Sequence, residues 1–217
     1  MKVKRTIENA KIDEVLDGLE RMHPEAMCAL DHGSVFELLV AVVLSAQTTD
    51  VSVNKVTPEL FRKYPTPEAL AGADQADVID TIKTIGLYKT KSANIIKLAQ
   101  KITEDFGGEV PDSFEELVSL PGVGRKTANV VLAEAFGKPA IAVDTHVFRV
   151  ANRIGLTGAK DVNSTEDQLK ERLPEDKWIR AHHLLIFHGR KLCHARKPDC
   201  ENCGISGICL YNRDQTD

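Results

Sequence analysis

The chain has 217 residues, of which 42% are hydrophobic and 28% charged, with a formal net charge of −4. That composition excludes a disordered, collagen-like or membrane-embedded protein, and the length allows one large domain or two compact lobes. The mild acidity argues against a protein that coats nucleic acid through bulk positive charge, unless its cations are concentrated locally. The longest apolar run, Leu38–Leu44, falls far short of the ~20 residues needed to span a bilayer, so no membrane partner is expected. The basic start, Met1 to Arg5, runs into polar sequence without the apolar segment of a secretory signal, which points to a cytoplasmic address.

Helix signals dominate and period-2 alternation is almost absent, so an all-α fold is expected. Ile12, Val15, Leu16 and Leu19 form an apolar stripe within residues 7–22. Ser34 with Glu37 reads as a capping box opening a helix that includes residues 36–46. Asp50 is expected to cap the next helix, to about Tyr64, and Thr66-Pro67 to start another. A short helix near 78–83 ends at Gly86, and a longer one over 89–106 closes at Gly107-Gly108. Asp112 with Glu115 suggests a capping box for a helix reaching Leu120, followed by Pro121-Gly122-Val123-Gly124 and a helix over 125–136. Residues 139–143 read as extended, Asp144 as the cap of a helix over 145–154, and further helices are expected at 165–172 and from 174 to about 193.

Four of the five cysteines, Cys193, Cys200, Cys203 and Cys209, form a C-x6-C-x2-C-x5-C array. Four thiolates on such short loops can wrap an iron–sulfur cluster or a zinc ion. One close pair flanked by longer loops, rather than two close pairs, favours iron and sulfur. Cys28 stands apart and reads as a small core hydrophobe. Residues 177–198 contain no acid, but include Lys177, Arg180, Arg190, Lys191, Arg196 and Lys197 with four histidines. This predicts a cationic face on an anionic protein, with Arg196 and Lys197 offered to phosphates from the loop between the first two cysteines.

The turn Leu120-Pro121-Gly122-Val123-Gly124-Arg125-Lys126 is the second constellation. Gly124 lets a ligand approach the backbone, and the following helix N-terminus can hold a phosphate. Arg125 and Lys126 put two cations where the helix dipole disfavours them, and broken local rules gather at sites. The dipole, partial burial and Arg125 together favour a neutral, nucleophilic Lys126 amine. Asp144, expected as an N-cap, stays ionised there and can stabilise positive charge on a sugar carbon.

The Leu-Pro-Gly-Val-Gly-Arg-Lys turn, the segment Val143-Asp144-Thr145-His146 and the cysteine array resemble the endonuclease III family of DNA glycosylases. The likeness extends to Leu44-Ser45-Ala46-Gln47-Thr48-Thr49-Asp50 and Ile85-Gly86-Leu87-Tyr88, and so to nearly the whole chain. The resemblance implies two helical lobes. A six-helix lobe would cover 27–137, with a helix-hairpin-helix at about 113–136. A cluster lobe would comprise 1–26 with 138–217, its [4Fe–4S] loop spanning 193–209 and ligated by Cys193, Cys200, Cys203 and Cys209. It implies a monomeric enzyme acting on double-stranded DNA that contains oxidised pyrimidines or abasic sites. Lys126 would attack C1′ and Asp144 would be its electrostatic and acid–base partner. Gln47 would fill the space of the flipped base, Leu87 would wedge the opposite strand, and His146 would lie near the reacting nucleotide. Gly122, Val123, Gly124, Arg125, Arg196 and Lys197 would contact DNA. A monofunctional adenine-mismatch glycosylase and a non-catalytic DNA-structure binder are the alternatives; Lys126 argues against the first, and Lys126 with Asp144 against the second. Val118, where some relatives are acidic, and Thr48-Thr49 after Gln47 depart from the pattern.

Overall fold

Capping chemistry sets most of the helix boundaries in a computed structural model that describes residues 6–216; the basic start at 1–5 lies outside the described residues. Among the described residues there is no strand, and the helices are α1 (Ile12–Met22), α2 (Val35–Leu44), α3 (Asp50–Lys63), α4 (Pro67–Ala71), α5 (Gln75–Ile82), α6 (Tyr88–Phe106), α7 (Phe114–Ser119), α8 (Arg125–Phe136), α9 (Thr145–Ile154), α10 (Val162–Arg172), α11 (Trp178–Lys191) and α12 (Leu210–Thr216). None of them is long and apolar enough to cross a membrane.

Several starts differ from expectation by a residue or more because a better acceptor stands nearby. Thr49, not Asp50, caps α3 by accepting from the Ser52 N–H. Ser113, not Asp112, caps α7 through the Glu116 N–H, which frees Asp112 to pair with Lys138 at 2.7 Å. Asp74 caps α5, which starts at Gln75, three residues before Val78, and Asp161 opens α10 with a reciprocal box to Ser164. Ser34 caps α2 as expected, but the Glu37 carboxylate takes the Gly33 N–H at 2.6 Å instead of the cap residue's own. The last helix, α12, carries too little apolar periodicity to announce itself in sequence.

The chain divides into two units, residues up to Cys28 with those from Pro139 onward, and Ala29–Lys138. In the second, α2 buries eight of its ten residues and packs against α3, α6 and α8, as befits a helix apolar on every side. The buried run Ala128–Ala133 of α8 lines the same core, and α4 and α5 lie along α6. Cys28 itself is only partly buried.

In the first unit, Val15, Leu16 and Leu19 of α1 join Val147, Val150, Ala151 and Ile154 of α9 and Leu184 and Leu185 of α11 in one core. Arg180 of α11 then departs from the expected cationic face. Its guanidinium grips Glu20 with two bonds of 2.6 Å and also donates to the carbonyls of His23, Pro24 and Ala26, so it fastens the end of α1 rather than facing solvent. His182 and His188 of the same run are buried.

Arg180→Met removes every one of these donors while keeping the length of the stem. The expected loss of stability is about 1–3 kcal/mol, the range for charged hydrogen bonds to half-buried acceptors, read as a lower urea midpoint with an unchanged slope.

Candidate functional site

In the Ala29–Lys138 unit, α7 and α8 form a hairpin whose underside is apolar, with Leu117, Leu120 and Val123 buried. The turn closes through bonds of 3.1 Å from Leu120 N–H to Leu117 and from Val123 N–H to Leu120. Val123, expected as a DNA contact, therefore shapes the turn from within. Gly122 sits at φ +80°, and a Cβ there would stand 3.2 Å from Asn94 and 3.3 Å from Val43, so the turn is seated directly on α6 and α2. Around Gly124 the reverse holds: a Cβ would meet nothing within 4 Å. Nothing inside the protein demands glycine at 124, whereas a phosphate approaching the backbone would.

No side chain caps α8, which leaves its first-turn N–H groups to outside partners. Arg125 lies over the Phe114 ring at 5.7 Å. Lys126 is exposed, so the partial burial expected for it is absent.

Asp144 belongs to the other unit. The segment before it, Ala140 to Val143, is buried, and the His182 ring bonds its Ala142 carbonyl at 2.7 Å. Asp144 Oδ1 accepts from the N–H groups of His146 and Val147, each at 2.8 Å, which fixes a carboxylate at the start of α9. Arg149 approaches His146 Nδ1 at 3.1 Å. A guanidinium can only donate, so this bond assigns the ring proton to Nε2. Burial pushes the His146 pKa down, favouring that neutral ring.

The four cysteines of the array line one pocket with Ile154, His188 and Leu192, enclosing about 340 Å³ that includes its open mouth. Among the described residues no three metal-ligating side chains gather as a site for a single ion. The thiols bound a space instead, which suits a polynuclear cluster better than one tetrahedral zinc. Burial, then the nearby Cys193, pushes the Cys200 thiol up, and burial does the same to Cys203 and Cys209. Four thiolates in that setting need a cationic centre, so the donor set fits an iron–sulfur cluster. Two nitrogens already face the sulfurs: the donor Arg153 Nη1 lies 3.5 Å from Cys193 Sγ and His188 Nε2 lies 3.7 Å from Cys203 Sγ.

Arginines of α9 hold the loop itself. Arg149 donates to the Cys193 and Gly189 carbonyls, Arg153 to those of His194 and Ala195, and Arg153 also stacks on Tyr211 at 4.6 Å. Arg196 and Lys197 are exposed at the tip, Lys197 at φ 51°. Sequence reasoning missed Arg149, Arg153 and His188. The four-residue spacing of the two arginines puts them on one helix face and was the available signal. In the Ala29–Lys138 unit, Gln47 and Leu87 are exposed on neighbouring turns, both at positive φ.

Comparison with known proteins agrees with this geometry. Residues 40–175 match the HhH-GPD superfamily base excision DNA repair protein family, and residues 193–209 match the iron-sulfur binding domain of endonuclease III. The chain is 50% identical to endonuclease III of Bacillus subtilis (strain 168) over 200 residues, covering 92% of this chain and 91% of that protein. It is 48% identical to endonuclease III of Escherichia coli (strain K12) over 205 residues, covering 94% and 97%. A solved structure of a trapped endonuclease III–DNA covalent intermediate superposes with a TM-score of 0.91 at 44% identity, covering 97% of this chain and all of that one. The cofactor is accordingly a [4Fe–4S] cluster.

Cys203→Ala removes one of the four thiolates. Iron and acid-labile sulfide should fall well below four per chain, with loss of the broad absorbance near ~400 nm given by thiolate-bound iron. Full iron content in that variant would exclude Cys203 as a ligand.

Proposed function

The chain belongs to the endonuclease III family, and from that premise we propose that it removes oxidised pyrimidines from double-stranded DNA as a monomer in the cytoplasm, with Lys126 as nucleophile. Its activity is that of a bifunctional base-excision glycosylase and abasic-site lyase. The reading of the residues rests on one observation above the rest: an exposed lysine on the first turn of a helix that no side chain caps, immediately after the open backbone at Gly124.

The chemistry follows from those groups. The target base leaves the stack, Gln47 fills its place and Leu87 wedges the opposite strand. Gly122, Gly124, Arg125 and the N-terminus of α8 hold phosphate, as do Arg196 and Lys197. Cleavage of the glycosidic bond builds oxocarbenium character, which the fixed Asp144 carboxylate stabilises. The Lys126 amine attacks C1′ as the base departs, and Asp144 accepts the proton that the amine sheds. Asp144 returns that proton to O4′ as the C1′–O4′ bond breaks, leaving an iminium at C1′, which acidifies the C2′ proton. Its removal expels the 3′ phosphate by β-elimination, and hydrolysis of the imine frees Lys126.

A bound [4Fe–4S] cluster supplies the cross-link that holds the 193–209 loop. In this reading the domain assignment is a hairpin lobe of 27–137 and a cluster lobe of 1–26 with 138–217. A monofunctional adenine-mismatch glycosylase has no use for Lys126, and the pairing of Lys126 with Asp144 disfavours a non-catalytic DNA binder.

Borohydride trapping on a duplex containing thymine glycol tests the nucleophile. Wild-type protein should cross-link and Lys126→Ala should not; undiminished trapping by the variant would sink the assignment. Asp144→Asn separates chemistry from folding because asparagine caps a helix about as well as aspartate. Base excision should fall by roughly 10²-fold or more with the melting temperature nearly unchanged.

A further inference from the structure

Lys91, in the first turn of α6, is only 4% exposed. Lysine is almost never buried unless paired with an acid, and no carboxylate lies near enough to offset the burial that pushes the pKa of this amine down. Its Nζ donates to Thr48 Oγ1 at 2.6 Å. The Thr48 hydroxyl passes its own proton on to the Ala46 carbonyl at 3.4 Å, so the two bonds bracket Gln47. The backbone N–H of Lys91 donates to the Leu87 carbonyl at 2.9 Å. Lys91 thus grips the Gln47 turn with its side chain from the helix that Leu87 begins, its main-chain bond to Leu87 being the ordinary helical one.

Those two residues are strained in the same way. Gln47 at φ 53° and Leu87 at φ 59° are L-residues in the left-handed region, which costs free energy and persists only when the surroundings hold it. Leu87 is also 56% exposed. The turns lie side by side, since a Cβ on Gly86 would stand 4.0 Å from both the Gln47 carbonyl oxygen and Thr48 Oγ1. Stability does not account for the ammonium. A methionine fills the same volume without desolvating a charge, and such replacements are often neutral or stabilising. The charge contributes a directional bond that fixes one turn against the other.

We propose that Lys91, acting through the Thr48 hydroxyl, is a positioning residue that preorganises Gln47 and Leu87 to enter the DNA duplex together. The proposal rests on the reading that those two residues occupy the opened base stack.

Full-length cluster-loaded Lys91→Met, Thr48→Val and Lys91→Arg test it on a lesion duplex carrying 2-aminopurine beside the target base. The insertion signal and single-turnover excision should fall about 10- to 100-fold in Lys91→Met and Thr48→Val, the scale expected when reacting groups are misplaced. Melting temperatures should be unchanged or higher. Cleavage of a single-stranded abasic oligonucleotide, which needs no insertion, should stay at the wild-type rate, and Lys91→Arg should restore part of the fluorescence. Wild-type fluorescence and excision in Lys91→Met would overturn the proposal. So would a lowered melting temperature with equal loss on duplex and single strand, since that marks a purely structural lysine. Failure of the wild type to cleave single-stranded abasic DNA counts against the Lys126 reading, and the fluorescence still decides the role of Lys91.

Discussion

Every α-helix begins with N–H groups that it cannot satisfy itself, and two opposite answers to that constraint organise this protein's chemistry. At α8 no side chain answers it: the helix starts behind an open glycine, with Arg125 and Lys126 in its first turn. The arrangement sacrifices a little helix stability, because cations oppose the dipole there, and gains a surface that receives anions. At α9 the answer is complete: Asp144 takes two N–H groups on one oxygen and is held as a carboxylate at a fixed point. A nucleophile needs freedom to reach a carbon, and a charge stabiliser needs rigidity. In the roles proposed for Lys126 and Asp144, the contrast between the two helix starts supplies both.

Helix α9 extends the same economy along its length. Its apolar face, Val147, Val150, Ala151 and Ile154, belongs to the core of the unit. Its polar face turns Arg149 and Arg153 onto the carbonyls of the cysteine loop. Asp144 and the cluster loop are therefore referenced to one rigid element, and Arg149 touches both His146 and the Cys193 carbonyl. Displacement of the loop would be felt through that guanidinium at the residue two places after Asp144.

Charge is handled locally throughout. A chain of net charge −4 exposes Arg196 and Lys197 at a loop tip and leaves the first N–H groups of α8 without a side-chain cap, while other cations turn inward. Arg180 is consumed by Glu20 and three carbonyls, and Lys91 by a hydroxyl. A linear count of basic residues over 177–198 cannot separate a guanidinium that faces solvent from one that fastens two helices, because that depends on which acid the fold brings beside it.

The sequence by itself determined the all-helical class, the hairpin turn, the Asp144 cap and the cysteine array. Each is local: a glycine at the turn, a carboxylate ahead of a helix, thiols closely spaced along the chain. Cap positions slipped by a residue at Thr49 and Ser113 because neighbouring acceptors compete within a few tenths of a kcal/mol. Tertiary structure alone decided that Lys126 is exposed, that Arg149, Arg153 and His188 surround the cysteines, and that Lys91 joins the turns of Gln47 and Leu87. The arginine and Lys91 contacts join residues 40 to 44 apart in sequence and the His188 contact residues 15 apart, and burial and long-range hydrogen bonding exist only once the helices have packed.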